Sequence, residues 1–186
     1  MIRSLVTLML VVLLCVPVFA GELKGVKMPD TLTIEGKDLV LNGMALRKKV
    51  IFKVYVAGLY LPQRESDADK IFKSDGHRHM VMHFLRGVGA GKINGAWMDG
   101  LEDNTPNASP ALKKQFDELC GLMEDVEDGE EIVFTYIPEK GTLVKVKGKD
   151  KGTLAGKPFA DALFACWIGP EPGPGEDFRE ALLGKE

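Results

Sequence analysis

From Thr31 to Leu61 apolar and polar positions follow an extended rhythm, interrupted by Glu35-Gly36-Lys37-Asp38 and by Asn42-Gly43. Both clusters favour turns, so the segment predicts a β-meander. Its longest piece, Val50 to Leu61, carries Val50, Ile51, Phe52, Val54, Tyr55, Val56 and Tyr60, with Lys53 as its one internal charge. That composition suits a central strand covered on both faces. His77 to Leu85 alternates, placing Met80, Met82 and Phe84 toward a core and His77, His79, Val81, His83 and Leu85 on the other side. A second block of strands is expected at Glu131 to Ile137, Leu143 to Lys147 and Gly152 to Ala155, joined by Pro138-Glu139-Lys140-Gly141 and Gly148-Lys149-Asp150-Lys151.

Between the blocks the period changes to that of a helix. Ser66, followed by Asp67 and Asp69, predicts a short capped helix through Phe72, closed by Gly76. Ile93, Trp97 and Leu101 form one apolar stripe, and Leu112, Phe116, Leu119 and Met123 form another, on either side of Asn104-Thr105-Pro106-Asn107. Ser109 and Pro110 mark the start of the second helix. Gly91, Gly95 and Gly100 each weaken the first by about 1 kcal/mol relative to Ala, so it depends on tertiary packing or admits a close neighbour. Phe159, Leu163 and Trp167 stripe a further helix, Pro170 to Gly175 breaks the chain, and a last helix is expected at Phe178 to Leu183. The pattern is α+β, with helices laid on one face of an antiparallel sheet.

Residues 1–20 stand apart. Arg3 precedes a run of about 16 nearly unbroken apolar residues, about 24 Å as helix and short of a hydrocarbon span of about 30 Å. Val18-Phe19-Ala20 resembles a cleavage site, so a signal peptide removed after Ala20, a mature domain of residues 21–186 and a periplasmic or secreted location are expected. The 186 residues are 45% hydrophobic and carry a net charge of −3, enough apolar bulk for one core and too little charge for disorder. Loss of Arg3 with the leader makes the remainder one charge more negative, which disfavours nucleic acid as a partner. Cys120 and Cys166 then remain; each lies in an amphipathic helical segment and is read as a buried thiol rather than half of a disulfide.

The candidate chemistry is sparse. His77, His79 and His83 share strand parity, but His77 and His83 would lie about 20 Å apart, too far to hold one ion, so solvated histidines and no metal are expected. Arg86 is assigned a structural use, and Lys145, Lys147, Lys149 and Lys151 a solvated face. The chain has no nucleophile motif, phosphate loop or dinucleotide signature, and no cofactor is expected.

An ordered set of stretches nevertheless spans nearly the whole mature chain: Leu41-Asn42-Gly43-Met44-Ala45-Leu46-Arg47, Phe52 to Leu61, His83-Phe84-Leu85-Arg86, Asn104-Thr105-Pro106, Gly152 to Gly156 before Phe159, Trp167-Ile168-Gly169 and Leu182-Leu183-Gly184. Together they resemble the chalcone isomerase-like family, and most closely its exported bacterial branch. The resemblance implies an open-faced β-sandwich with a ligand cleft between a large antiparallel sheet and its helices. It also implies roles. Arg47 matches the family's cleft arginine, whose planar fork suits a carboxylate or phenolate. Tyr55 falls where the fatty-acid binders of the family carry tyrosine. Along a straight strand the two would be about 26 Å apart, so either a bulge or bend unites them or only one of the pair touches the ligand. Asn104 pairs with an active-site asparagine of the isomerases, whereas Trp97 stands at their catalytic tyrosine and Gly100 at their lysine. Without that phenol and ammonium the proton relay for cyclisation is missing.

The expectation is therefore an exported, non-catalytic protein holding a fatty acid or similar amphipathic anion, with Arg47, Tyr55, Trp97 and Asn104 as ligand-binding residues. The alternatives are an isomerase-type intramolecular lyase acting on a flavonoid-like substrate, and an interaction module whose cleft has collapsed.

Overall fold

The computed structural model describes residues 19–185. The expected leader lies outside these residues except for Phe19 and Ala20, whose backbone opens the first strand. Strands β3 (Thr31–Ile34), β4 (Lys37–Lys49), β5 (Phe52–Leu61), β6 (Arg78–Phe84), β7 (Glu131–Ile137), β8 (Gly141–Val146) and β9 (Lys149–Leu154) form one antiparallel sheet in sequence order. The sheet carries its helices on one face: α1 (Ala68–Lys73), α2 (Ala90–Asn104), α3 (Pro110–Leu122), α4 (Lys157–Ile168) and α5 (Glu176–Leu182). A separate hairpin, β1 (Phe19–Leu23) with β2 (Val26–Pro29), lies against the opposite face. There Val26, Met28, Leu39, Leu41, Val56 and Tyr60 make a small second core.

The main core lies under the helices. Tyr55, Ala57 and Leu59 of β5 stand opposite Phe84, Met82 and Met80 of β6, which in turn face Ile132 and Phe134 of β7. Helix α4 is buried along most of its length, from Phe159 and Ala160 through Leu163, Phe164, Cys166, Trp167 and Ile168. A helix apolar on nearly every side belongs inside a domain, and α4 is enclosed by the sheet, α2 and α5. Its approach to α2 occurs at Gly100, where a Cβ would stand 2.6 Å from Cys166 Sγ. The glycine that weakens α2 in isolation is therefore what lets the two helices meet. Cys120 and Cys166 are both free thiols; Cys166 is buried and Cys120 only half-buried.

The structure corrects several local expectations. Asp67, not Ser66, caps α1, its carboxylate accepting from the Asp69 and Lys70 amides, and Ser74 rather than Gly76 closes the helix. Asn42-Gly43 is not a turn: β4 runs through it with a bulge. Asn42 Nδ2 donates to Leu182 O at 2.8 Å and to Glu65 O at 3.1 Å, while a Cβ on Gly43 would lie 2.1 Å from Ala181 O. The pair is a seat for the end of α5. The turn lies further on, at Val50-Ile51, so Val50 to Phe52 are an exposed hairpin tip rather than the start of a buried strand.

Candidate functional site

The hairpin supplies the bend that the sequence left unexplained. Because β4 and β5 fold back at Val50-Ile51, Arg47 is the register partner of Tyr55, and such partners have Cα atoms about 5 Å apart. Both are on the helical face, in step with Ala45 and Ala57. Arg47 is half-buried at the rim, where its Nη1 donates to Pro174 O at 2.9 Å in the connector between α4 and α5. No carboxylate pairs with it among the described residues.

Tyr55 is 8% exposed and packed by the rings of Phe84 and Phe178, at centroid distances of 5.5 and 5.8 Å. Its hydroxyl oxygen accepts a hydrogen bond from Trp167 Nε1 at 3.3 Å, and its own proton has no acceptor among the described residues. Burial pushes the phenol up to about 12, against the opposing effects of the Trp167 hydrogen bond and the Arg47 charge. At neutral pH Tyr55 is therefore a protonated, unused donor on the strand facing Arg47, whose guanidinium has no carboxylate partner among the described residues. Both groups are hydrogen-bond donors, and the phenol holds its proton tightly.

Trp97 lies deeper. It is 3% exposed, with its ring 5.2 Å from Trp167 and 5.6 Å from Phe134, and its Nε1 has no partner among the described residues. Asn104 is at the far end of α2 and is fully engaged. Its Nδ2 donates to Gly100 O and to Glu171 O, and its Oδ1 accepts from the Glu171 amide at 3.0 Å. The structure thus brings Arg47 and Tyr55 together, places Trp97 behind Trp167 as a floor, and makes Asn104 a clamp on the α4–α5 connector. Sequence reasoning missed Trp167 and Pro174. Both lie in segments it recognised, but their contacts with β4 and β5 span more than a hundred residues.

Among the described residues, aromatic side chains occupy the place where the open cleft was expected. Trp97, Phe134, Phe164 and Trp167 fill the space between sheet and helices, each at most 3% exposed and in mutual ring contact. Two open hollows lie elsewhere, one of about 360 Å³ bordered by Pro62, Ile71 and His77, the other of about 220 Å³ bordered by Asn42, Arg64 and Leu183. Aromatic side chains are large enough to occupy the volume an acyl chain would need, and here they do so.

The histidines also differ from expectation. His79 is half-buried, its Nδ1 2.8 Å from Thr135 Oγ1 and its ring edge-on to Tyr60. Burial first, and the Lys145 charge second, lower it to about 4. His83 Nδ1 is 3.0 Å from Glu131 Oε1 across the strand pair. No group of three or more metal-ligating side chains gathers among the described residues.

A profile described as chalcone isomerase-like matches residues 20–184. The chain belongs to the chalcone isomerase-like family. The architecture agrees: it is similar to that of a fatty-acid binding protein from Arabidopsis thaliana, with a TM-score of 0.68 and 16% identity, covering 86% of this chain and 92% of that one. At that identity the likeness concerns the fold. No functionally curated sequence matches the chain. Trp97 offers one indole N–H of very low acidity, and Gly100 has no room for any side chain against Cys166.

Proposed function

We propose that this chalcone isomerase-like chain is an exported, non-catalytic binding protein for a single-chain amphipathic carboxylate such as a fatty acid. The observation that carries the reading is the pairing of Arg47 with Tyr55 across the hairpin, a fixed cation next to a buried hydroxyl with a proton to give. A carboxylate would exchange the Pro174 carbonyl for itself at Arg47 and accept from Tyr55. Arg47 holds the α4–α5 connector at Pro174 through that carbonyl, so the exchange loosens the connector there, ahead of the helix that covers Tyr55 with Phe178, while Asn104 keeps the start of the connector and Asn42 the end of α5 in place. An acyl tail would enter by displacing Phe178 from Tyr55, toward the unpaired indole N–H of Trp97. Each buried methylene contributes about 0.8 kcal/mol, enough over a long chain to offset a local repacking of a few kcal/mol. Export rests on the form of residues 1–20.

Native mass spectrometry of the purified protein, followed by titration with a long-chain fatty acid, tests the reading. One bound equivalent is expected, weakened about tenfold or more in Arg47→Ala and less in Tyr55→Phe, in keeping with the larger contribution of charged hydrogen bonds. Failure to bind, with unchanged behaviour of both variants, would reject it. The filled aromatic core favours a second reading, a closed scaffold that binds only at its surface, and that negative result would establish it. Chalcone turnover above the spontaneous rate and dependent on Arg47 would instead restore the lyase.

A further inference from the structure

Among the described residues, large apolar side chains are seldom exposed, with one concentrated exception. Val50, Ile51 and Phe52 are 89%, 82% and 54% exposed, consecutive in the chain, and project at the end of the β4–β5 hairpin. The backbone there is not at ease. Val50 has φ +58°, a left-handed conformation that Gly, Asn or Asp adopt readily and a β-branched residue does not. A strained, water-exposed valine gains the fold nothing, so its use lies outside the fold.

The surroundings specify a partner. Lys48, Lys49 and Lys53 flank the tip and are exposed. Arg86 reaches from the loop after β6 to stack on Phe52, its guanidinium carbon 4.6 Å from the ring centre. None of these four cations pairs with a carboxylate among the described residues. The chain carries no acidic residue between Asp38 and Glu65, although its net charge is −3. Positive charge is thus gathered around an apolar point on an otherwise acidic molecule.

We propose that the Val50-Ile51-Phe52 tip docks on an anionic lipid bilayer. The three side chains enter the boundary between headgroups and acyl chains, while Lys48, Lys49, Lys53 and Arg86 stay at the level of the lipid phosphates. A bilayer fits better than a protein partner because the tip is small and convex. Three side chains fall far short of the roughly 800 Å² per partner of a stable protein interface, whereas a lipid surface yields to a point. The proposal does not rest on the occupant of the Arg47 site, but it deepens the lipid reading, since Arg47 and Tyr55 lie on the same two strands just behind the tip.

Flotation with vesicles of phosphatidylcholine and phosphatidylglycerol, against phosphatidylcholine alone, tests it. All proteins carry the same N-terminus, so any contribution of residues 1–20 cancels in the comparison. The wild type should float with the anionic vesicles and release at high salt. Val50→Asn/Ile51→Ser and, separately, Lys48→Glu/Lys49→Glu should each lose binding about tenfold or more. Thermal unfolding confirms that both variants fold, and a tip reporter, Ile51→Trp, should shift its fluorescence to the blue on anionic vesicles. Arg47→Ala should still float, which separates failure of the carboxylate site from failure of the tip. Equal flotation of wild type and tip variant would overturn the proposal. So would self-association that is lost in the tip variant while no vesicles are bound, which would make a second copy of the chain the occupant.

Discussion

Arg78 is the most deeply buried charge among the described residues, 1% exposed, with its Nη1 2.6 Å from Asp161 and its Nη2 donating to Ser74 O. Phe72, Tyr136 and Phe164 face the guanidinium at 5.5 to 5.9 Å, so cation–π attraction replaces part of the lost hydration. Removing the side chain opens a void among three rings but does not strand Asp161, which keeps Lys157 at 2.6 Å. Arg78→Ala should therefore cost about 2–3 kcal/mol, at the lower end for a broken buried pair, and Arg78→Met clearly less. Urea denaturation measures both, and an equal loss would show that charge rather than volume dominates. Alternation along β6 gives Arg78 the parity of Met80, Met82 and Phe84, so its inward direction was readable. Its acceptability there was not, because Asp161 lies 83 residues away and no local pattern announces it. Arg47 shows the same division: its type was legible, while its partner Pro174 lies 127 residues off.

At the level of elements, the helices were the most readable because their signals are local. Ser109 accepts from the Leu112 amide and Pro110 opens α3, as cap and first-turn residues do. The β4–β5 hairpin was the least readable. Its turn contains no Gly, Asn or Asp, and its apolar residues imitate a buried strand. Asn42-Gly43, which does have the sequence of a turn, serves the docking of α5 instead. The physical reason for both misreadings is that tertiary contact or external use overrides local preference. A stability prediction follows for the hairpin alone. Val50→Asn relieves a left-handed β-branched residue and should raise stability by about 1 kcal/mol, seen as a higher midpoint in thermal unfolding. A fall in stability would mean that Val50 makes contacts its exposure conceals. A gain, paired with loss of vesicle binding in the variant that contains it, would separate the needs of folding from those of docking.

Across the whole molecule the sheet divides two environments: an aromatic interior beneath the helices, and a thinner cover on the other face where His79 is found with Tyr60 and Thr135. The sign of the pH dependence follows from that placement. Folded His79 is lowered to about 4, by burial above all, from an ordinary value of 6.5. Above 6.5 it is neutral in folded and unfolded chains alike, and the fold is at full strength. As pH falls from 6.5 toward 4 the unfolded chain binds the proton first, so stability drains through that window and the loss is complete once the folded form also protonates. Carboxylates contribute most of their own acid sensitivity lower down, near their ordinary values of about 4. Unfolding free energy measured in urea should therefore decline over this interval, and His79→Gln, which keeps an acceptor and donor for Thr135 but cannot titrate, should flatten the decline. Parallel curves for the two proteins would place His79 in water in the native state. A flattened one would mean that His79 keeps its place in solution against Tyr60 and Thr135, so that the thinner cover on this face is tight enough to hold a neutral imidazole out of water.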